Sequence, residues 1–210
     1  MTNDLIPVTD AQAKAAEEAL KTLQGFGGFL KETFGTVPQD IVGLLGGDYL
    51  KVRRAENARR LIEKAKKRLE DAGVEKPDAP PSLAIPIIVA AADESRDELL
   101  DLWAALLAAA ADPARSKSFR LKFIEIVKQL DPLDAPVLKI LVEVKQTAQD
   151  KLDPFTIALG ATADEVSVSI QHLKSIGLAE RGSIRDDSPG WPYFSPTALG
   201  RELLRTLMSS

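Results

Sequence analysis

The single histidine of the chain, His172, limits the acid–base and metal chemistry that these 210 residues can host. One histidine is too few for a histidine cage around a metal or for a catalytic triad with a second His. The chain contains no cysteine, which removes disulfides, thiol nucleophiles and Cys-ligated zinc. We therefore expect no enzyme activity, no catalytic residue, no metal and no cofactor, and we expect His172 to be exposed.

Carboxylates recur at four-residue steps at Asp93, Asp97 and Asp101, and residues 93–101 carry five acids against one Arg. On a helix, such a ladder could hold a hard cation or act in acid–base pairs. Carboxylates one turn apart repel each other, however, and no second acidic cluster completes a site. The favoured interpretation is a surface that meets basic partners.

A basic segment, residues 51–68, carries nine Lys and Arg against two Glu, a net charge of +7. It could bind phosphate or anionic lipid. No aromatic residue is interleaved for base stacking and no Gly-rich phosphate loop follows, so a solvated face neutralised by other parts of the protein is favoured. We predict that the basic segment meets the acidic ladder, within one chain or between subunits. The candidate partner-contact residues are Arg53, Arg54, Arg59, Arg60, Lys64, Lys67, Asp93, Asp97 and Asp101.

The elements that position these charges read as helices, because apolar residues make up 45% of the chain and recur mostly at helical spacing. The pattern predicts a basic helix over Tyr49–Asp71. It also predicts a central helix over Asp93–Asp112, apolar on nearly all sides, with Ser95 and Glu98 as a capping box. Residues 73–81 predict an extended, exposed connector, and Pro86 is predicted to begin the next helix. A further helix is predicted after Asp112-Pro113.

The last eighty residues predict a helix capped by Asp134, a short helix, a third helix with a Thr162–Glu165 capping box, one β-hairpin and a closing helix. The predicted hairpin strands are Leu178–Ile184 and Trp191–Phe194. This order resembles the winged-helix domain. The fold class is therefore mainly α: a helical N-terminal and central domain followed by a C-terminal winged-helix-like domain with one β-hairpin. The predicted divisions are 1–72 (N-terminal helical arm with Gly-rich and basic segments), 73–81 (linker), 82–130 (central helical core) and 131–210 (winged-helix-like domain).

A winged helix often binds DNA, but residues 131–210 hold eight Lys and Arg against eleven Asp and Glu, a net charge of −3. Because phosphate contacts supply most of the affinity for DNA, an acidic domain is a poor DNA binder on its own. We favour a winged helix that contacts protein, and a DNA-binding regulator is the alternative. The candidate recognition-helix surface comprises Ser167, Gln171, His172 and Lys174, of which the first three could read bases.

Location is predicted from what the N-terminal region and the apolar runs lack. The sequence MTNDLIPVTD does not read as a secretory signal, and no apolar run reaches the length of a membrane span, so we expect a cytoplasmic protein. Seven glycines between residues 25 and 47 allow a hinge or peripheral membrane contact through residues 25–50. Tight helix packing and loop turns are the favoured interpretation of these glycines.

The order of YLKVRRAENARRLIEKAKKRL, IPIIVAAADESRDELLDLWAALLAAAAD and FIEIVKQLDPLDAPVLKIL resembles the abortive infection alpha family of bacterial proteins. The most specific matches are Arg53, Arg54 and Asn57 and the string from Glu98 to Leu107. The resemblance implies a cytoplasmic role in defence against bacteriophage, through arrest of the infected cell, and it brings no catalytic motif. We expect a non-enzymatic effector that contacts a protein partner or itself as a homo-oligomer.

Overall fold

The chain is mainly helical in the computed structural model, which describes residues 49–144, 147–148, 152–182 and 193–208. The glycine-rich segment up to residue 48 and the turn of the predicted hairpin lie outside these ranges. The described elements are α1 (Tyr49–Asp71), α2 (Pro81–Ala92), α3 (Asp97–Ala111), a 3-10 turn (Ser116–Ser118), α4 (Lys122–Val127), α5 (Asp134–Val144), β1 (Thr147–Ala148), α6 (Asp153–Leu159), α7 (Ala163–Ser175), β2 (Ala179–Gly182), β3 (Tyr193–Pro196) and α8 (Ala198–Met208).

The central helix is α3, as the apolar pattern predicts. Every residue from Leu102 to Ala111 is buried, because α3 packs against α1, α2, α4 and α8. Its run of alanines leaves little side-chain bulk, so the neighbouring helices can approach closely. The helix begins at Asp97, however, and the predicted capping box of Ser95 and Glu98 is wrong because no side chain caps this end.

Helix α2 begins five residues earlier than predicted, at Pro81, and contains Pro86 in its interior. Pro suits the first helical turn, and the burial of Ile87 and Ile88 outweighs the preference of Pro86 for a helix start. The connector is also less exposed than predicted. Ala79 is buried, and the backbone N–H of Asp78 donates to the carbonyl of Ala111 at 2.8 Å, which ties the connector to the end of α3.

The predicted helix after Asp112-Pro113 is replaced by a turn, the 3-10 segment and the short α4. The Asp112 carboxylate accepts the backbone N–H of Ala114 at 2.8 Å, which favours a turn at this point. The predicted apolar stripe survives in part, because Phe123, Ile126 and Val127 are buried.

The predicted hairpin is confirmed: β2 and β3 pair antiparallel, with Arg181 opposite Phe194. A third strand, β1, was not predicted, and it pairs with the other side of β3 to give the order β1-β3-β2. Helix α8 then packs closely behind the sheet. A Cβ atom at Gly200 would lie 2.2 Å from the carbonyl oxygen of Leu178, so only glycine fits that contact.

Candidate partner-contact surfaces

Three ion pairs join α1 to the acidic ladder, and we call these six residues the charged seam. Arg54 Nε lies 2.5 Å from Asp93 Oδ1, Arg60 pairs with Asp97, and Lys64 Nζ lies 2.7 Å from Asp101 Oδ1. In the last two pairs, a step of four residues along α1 matches a step of four residues along α3, so these two helices run parallel. Helix α2 connects them and runs in the opposite direction. The predicted meeting of the basic segment and the acidic ladder is confirmed, and the contact lies within one chain.

Other charges of α1 are neutralised by the helix itself. Arg59 bonds to Glu56 and Glu63 one turn away on either side, and these hydrogen bonds, led by that to Glu56, raise the pKa of Arg59. Among the described residues, Arg53 and Lys67 show no ion pair. Seven of the nine candidate partner-contact residues are thus engaged within the chain, which favours a neutralised solvated face over a phosphate site. Their contact with another protein stays a prediction.

Asn57 performs a structural task that its place in the sequence motif did not reveal. Its side chain is buried, and Nδ2 donates to the carbonyls of Ala92 at 3.0 Å and Glu94 at 2.7 Å. Ala92 is the last residue of α2, so its carbonyl has no partner within the helix, and Glu94 lies in the turn that follows. Asn57, which lies on α1, therefore caps the C-terminal end of α2 and holds the turn that leads into α3.

Glu94 organises the same turn from the other side. Its carboxylate accepts the backbone N–H groups of Ser95 and Arg96 at 3.0 and 2.9 Å, and Arg96 Nε at 2.9 Å. Burial raises the pKa of Glu94, but the hydrogen bonds from the side chain and backbone of Arg96 outweigh burial and leave the pKa below its usual value. Arg96 Nη1 also lies 3.5 Å from Asp131 Oδ1, so the turn reaches the loop before α5.

A buried carboxylate, Asp134, joins α5 to α7. It is 1% exposed. Its Oδ1 accepts Ser169 Oγ at 2.6 Å, and its Oδ2 accepts the backbone N–H of Asp131 at 2.7 Å and lies 2.8 Å from His172 Nδ1. The sequence predicts only a capping role for Asp134 and an exposed side chain for His172. That expectation is wrong, because the His172 side chain is 30% exposed and its ring turns toward Asp134.

The same cluster offers the one metal-like grouping among the described residues: Asp131, Asp134 and His172 place potential ligand atoms within 4.8 Å of one another. The Asp134 oxygens are already engaged with three groups from the chain itself. This arrangement satisfies a buried carboxylate without an ion, and it fits a structural polar cluster better than a metal centre.

Helix α7 begins with the predicted capping box. Glu165 Oε2 accepts the N–H of Thr162 at 2.8 Å, and Thr162 Oγ1 accepts the N–H of Glu165 at 3.3 Å. The inner side of the helix is apolar and buried. Of the candidate recognition-helix residues, Gln171 and Lys174 are exposed, Ser167 is half-buried, and His172 turns toward Asp134 instead.

Two exposed apolar residues on α6 and α7 are not among the predicted site residues. Ile157 is 82% exposed and Val168 is 69% exposed. Each lies two positions after a buried residue of its own helix, Phe155 and Val166, and therefore points about 200° away from it. The sequence shows this spacing, and apolar residues two positions apart in a helix indicate one on the side opposite the core. Residues 152–173, which hold both, contain no Lys or Arg.

Comparison with known proteins adds a family. The sequence model described as abortive infection alpha matches residues 53–195, more than half of the chain. The chain belongs to the abortive infection alpha family. Membership indicates a role in abortive infection, and the matched region runs from α1 into β3, so it holds the charged seam, Asn57 and Asp134. No curated protein and no solved structure gives a significant match. Among the described residues, no helix combines the length and the apolar character needed to cross a membrane.

Proposed function

We propose that this protein acts in abortive infection as a non-enzymatic effector that binds another protein through its C-terminal region. The element order α5-β1-α6-α7-β2-β3-α8, with strands ordered β1-β3-β2, supports a winged-helix domain in which α7 takes the place of the recognition helix. A cytoplasmic location is part of the proposal, since arrest of an infected cell acts on machinery inside it.

One observation carries the choice of protein over DNA as the partner. The helix pair α6–α7 exposes Ile157 and Val168 and has no Lys or Arg from residue 152 to residue 173. A helix that enters a DNA groove needs nearby cations to neutralise phosphates, because these contacts supply most of the affinity. Exposed apolar side chains suit a protein partner instead.

The saturation of the polar clusters supports a non-enzymatic role. Asp134 and Glu94 are the kind of part-buried or buried carboxylate that acid–base catalysis uses, but each accepts at least two hydrogen bonds from its own chain. A general base must instead reach a proton of the substrate. These carboxylates hold helices and turns in place.

A DNA-binding regulator remains the second candidate, because Gln171 and Lys174 are exposed on α7 and could contact bases and phosphate. Purified full-length protein should be titrated with random duplex DNA of about 30 base pairs at about 50 and 200 mM salt. We expect no binding in the micromolar range at the higher salt. Micromolar or tighter binding there would favour the regulator.

The role itself is tested by expressing the full chain in a bacterial host and challenging it with a panel of phages. Abortive infection predicts that the culture survives when few cells are infected. It also predicts that growth stops, with little phage release, when nearly every cell is infected. Survival at both levels would indicate a different form of defence. The control is Asp134→Ala, which removes the buried carboxylate and should abolish protection by destabilising the C-terminal region.

A further inference from the structure

We propose that the exposed side of α6 and α7 binds a protein segment that presents apolar side chains flanked by Lys or Arg. We call this surface, centred on Ile157 and Val168, the α6–α7 face. The inference rests on the proposed function, since it assumes a protein partner, and it adds the chemistry that the partner must have.

The apolar part of the face is defined by exposure. Ile157 and Val168 are the two most exposed large apolar side chains among the described residues, at 82% and 69%. They lie on helices that pack against each other. Both point away from the buried side of their helices, where Phe155 and Val166 join the core. Covering these side chains would remove apolar surface from water, which is the main driving force for protein association.

The polar part of the face is acidic. Asp153, Asp164 and Glu165 are exposed at the first turns of α6 and α7, and the first cation after them on α7 is Lys174. Acidic residues at helix starts also favour the helix dipole, and single exposed apolar residues are common. Three observations together carry the proposal: two strongly exposed apolar residues on one helix pair, three exposed acids, and no Lys or Arg over 22 residues.

Four kinds of partner could bind such a face, and the negative charge of the face favours one of them. DNA and an anionic membrane would both be repelled by the three acids. A second copy packed through the same face would add three more acids and no Lys or Arg, so it could not neutralise the acidic part of the face. A partner segment with apolar residues and flanking cations satisfies both the apolar and the acidic parts of the face.

The test is a titration of ¹⁵N-labelled full-length protein with a designed helical peptide, with Leu at helical i, i+3, i+4 spacing and Lys at the other positions. We expect amide shifts confined to residues 153–171. We also expect Val168→Ala to weaken binding at least about fivefold, because central apolar residues dominate interface energy. Alanine is a good helix former, so this variant should keep its fold. Leu121→Ala is the matched control, since Leu121 is exposed but lies at the start of α4, and its binding should match wild type.

A second peptide with Glu in place of Lys checks the charge. Absence of binding by the Lys peptide, shifts outside α6 and α7, equal binding of the Glu peptide, or equal loss in Leu121→Ala would each overturn the inference. The proposed function fails separately. If the Lys peptide does not bind while the host is protected and DNA is not bound, the protein-contact role stands and only this assignment of its surface is wrong.

Discussion

The charged seam and the Asp134 cluster both use carboxylates to join helices that are far apart in the sequence, but they differ in exposure. The seam carboxylates of Asp93 and Asp97 are 62% and 68% exposed, whereas Asp134 is 1% exposed. An exposed ion pair contributes about 0–1 kcal/mol, because water screens it. When a buried acceptor is removed, each buried donor left without a hydrogen-bond partner lowers the free energy of unfolding by about 1–3 kcal/mol. We infer that the seam orients α1 on α3, while Asp134 stabilises the packing of α7 on α5.

The largest effect should come from Asp134→Ala. Removing the carboxylate leaves Ser169, His172 and the backbone N–H of Asp131 without their acceptor, so we expect the free energy of unfolding to fall by about 2–4 kcal/mol. Denaturant titration monitored by circular dichroism measures the change. Asp131→Ala is the control, because it keeps the backbone N–H that Asp134 accepts and removes only a carboxylate that is 71% exposed and pairs with Arg96. A similar loss in both variants would remove the distinction between the buried cluster and the exposed seam.

Asn57→Ala should have the next largest effect. It leaves the carbonyls of Ala92, at the end of α2, and of Glu94, in the next turn, without this donor, so we expect a loss of about 1–3 kcal/mol. The same titration measures it, with Arg53→Ala as the neighbouring control, since Arg53 is exposed and should change stability by less than about 0.5 kcal/mol. If Asn57→Ala is as mild as Arg53→Ala, the turn after α2 does not depend on this side chain.

The ion pairs of the charged seam should contribute little to the free energy of unfolding, and their contribution should depend on salt. A double-mutant cycle on Arg60 and Asp97 should give a coupling below about 1 kcal/mol, and it should shrink further at about 1 M salt. A coupling energy of several kcal/mol that does not change with salt would mean that the seam stabilises the fold as strongly as the Asp134 cluster.

Charge reversal tests the orienting role of the seam without relying on its energy. Arg60→Glu should face Asp97 with a like charge, loosen α1 and increase protease cleavage at low salt in residues 73–80, the part of the connector that precedes α2. Arg59→Glu is the control, because both ion-pair partners of Arg59 among the described residues, Glu56 and Glu63, lie on its own helix. Equal cleavage in the two variants would show that the position of α1 does not depend on the pairs with α3.

The smallest effect concerns Glu165, an exposed carboxylate satisfied by its own helix. Hydrogen bonds from the backbone and side chain of Thr162 lower its pKa. Because its folded-state pKa lies below the unfolded value, its contribution is present above about pH 4.3 and is lost as the pH falls through the folded value. Glu165→Gln keeps a capping side chain, so it should flatten the acid limb of the stability profile slightly. An unchanged acid limb would contradict this.

Local patterns predicted what local forces decide. The bounds of α1, the all-round burial of α3, the Thr162–Glu165 capping box and the hairpin all follow from spacing and capping within a few residues. The start of α2 depends on packing against distant segments, which overrides the preference of Pro86 for a helix start. The strand β1 has only two residues, Thr147 and Ala148, and forms because it pairs with the distant β3.

Site geometry was less predictable, for the same reason. Net charges predicted that the basic segment meets the acidic ladder, but not which residues pair. The Asp134 cluster joins residues 35 and 38 positions apart, and only the fold brings Ser169 and His172 to that carboxylate. The divisions at residues 72, 81 and 130 stay predictions.

The most direct test of a protein-binding role uses the absence of cysteine from the chain. Val168→Cys gives one labelling site on the α6–α7 face. A photo-crosslinker attached to this cysteine should be activated in a lysate of phage-infected bacterial cells. We expect an adduct that nuclease leaves intact, formed at Val168→Cys but not at the control site Leu121→Cys. An adduct that nuclease removes would contradict it and identify nucleic acid as the partner.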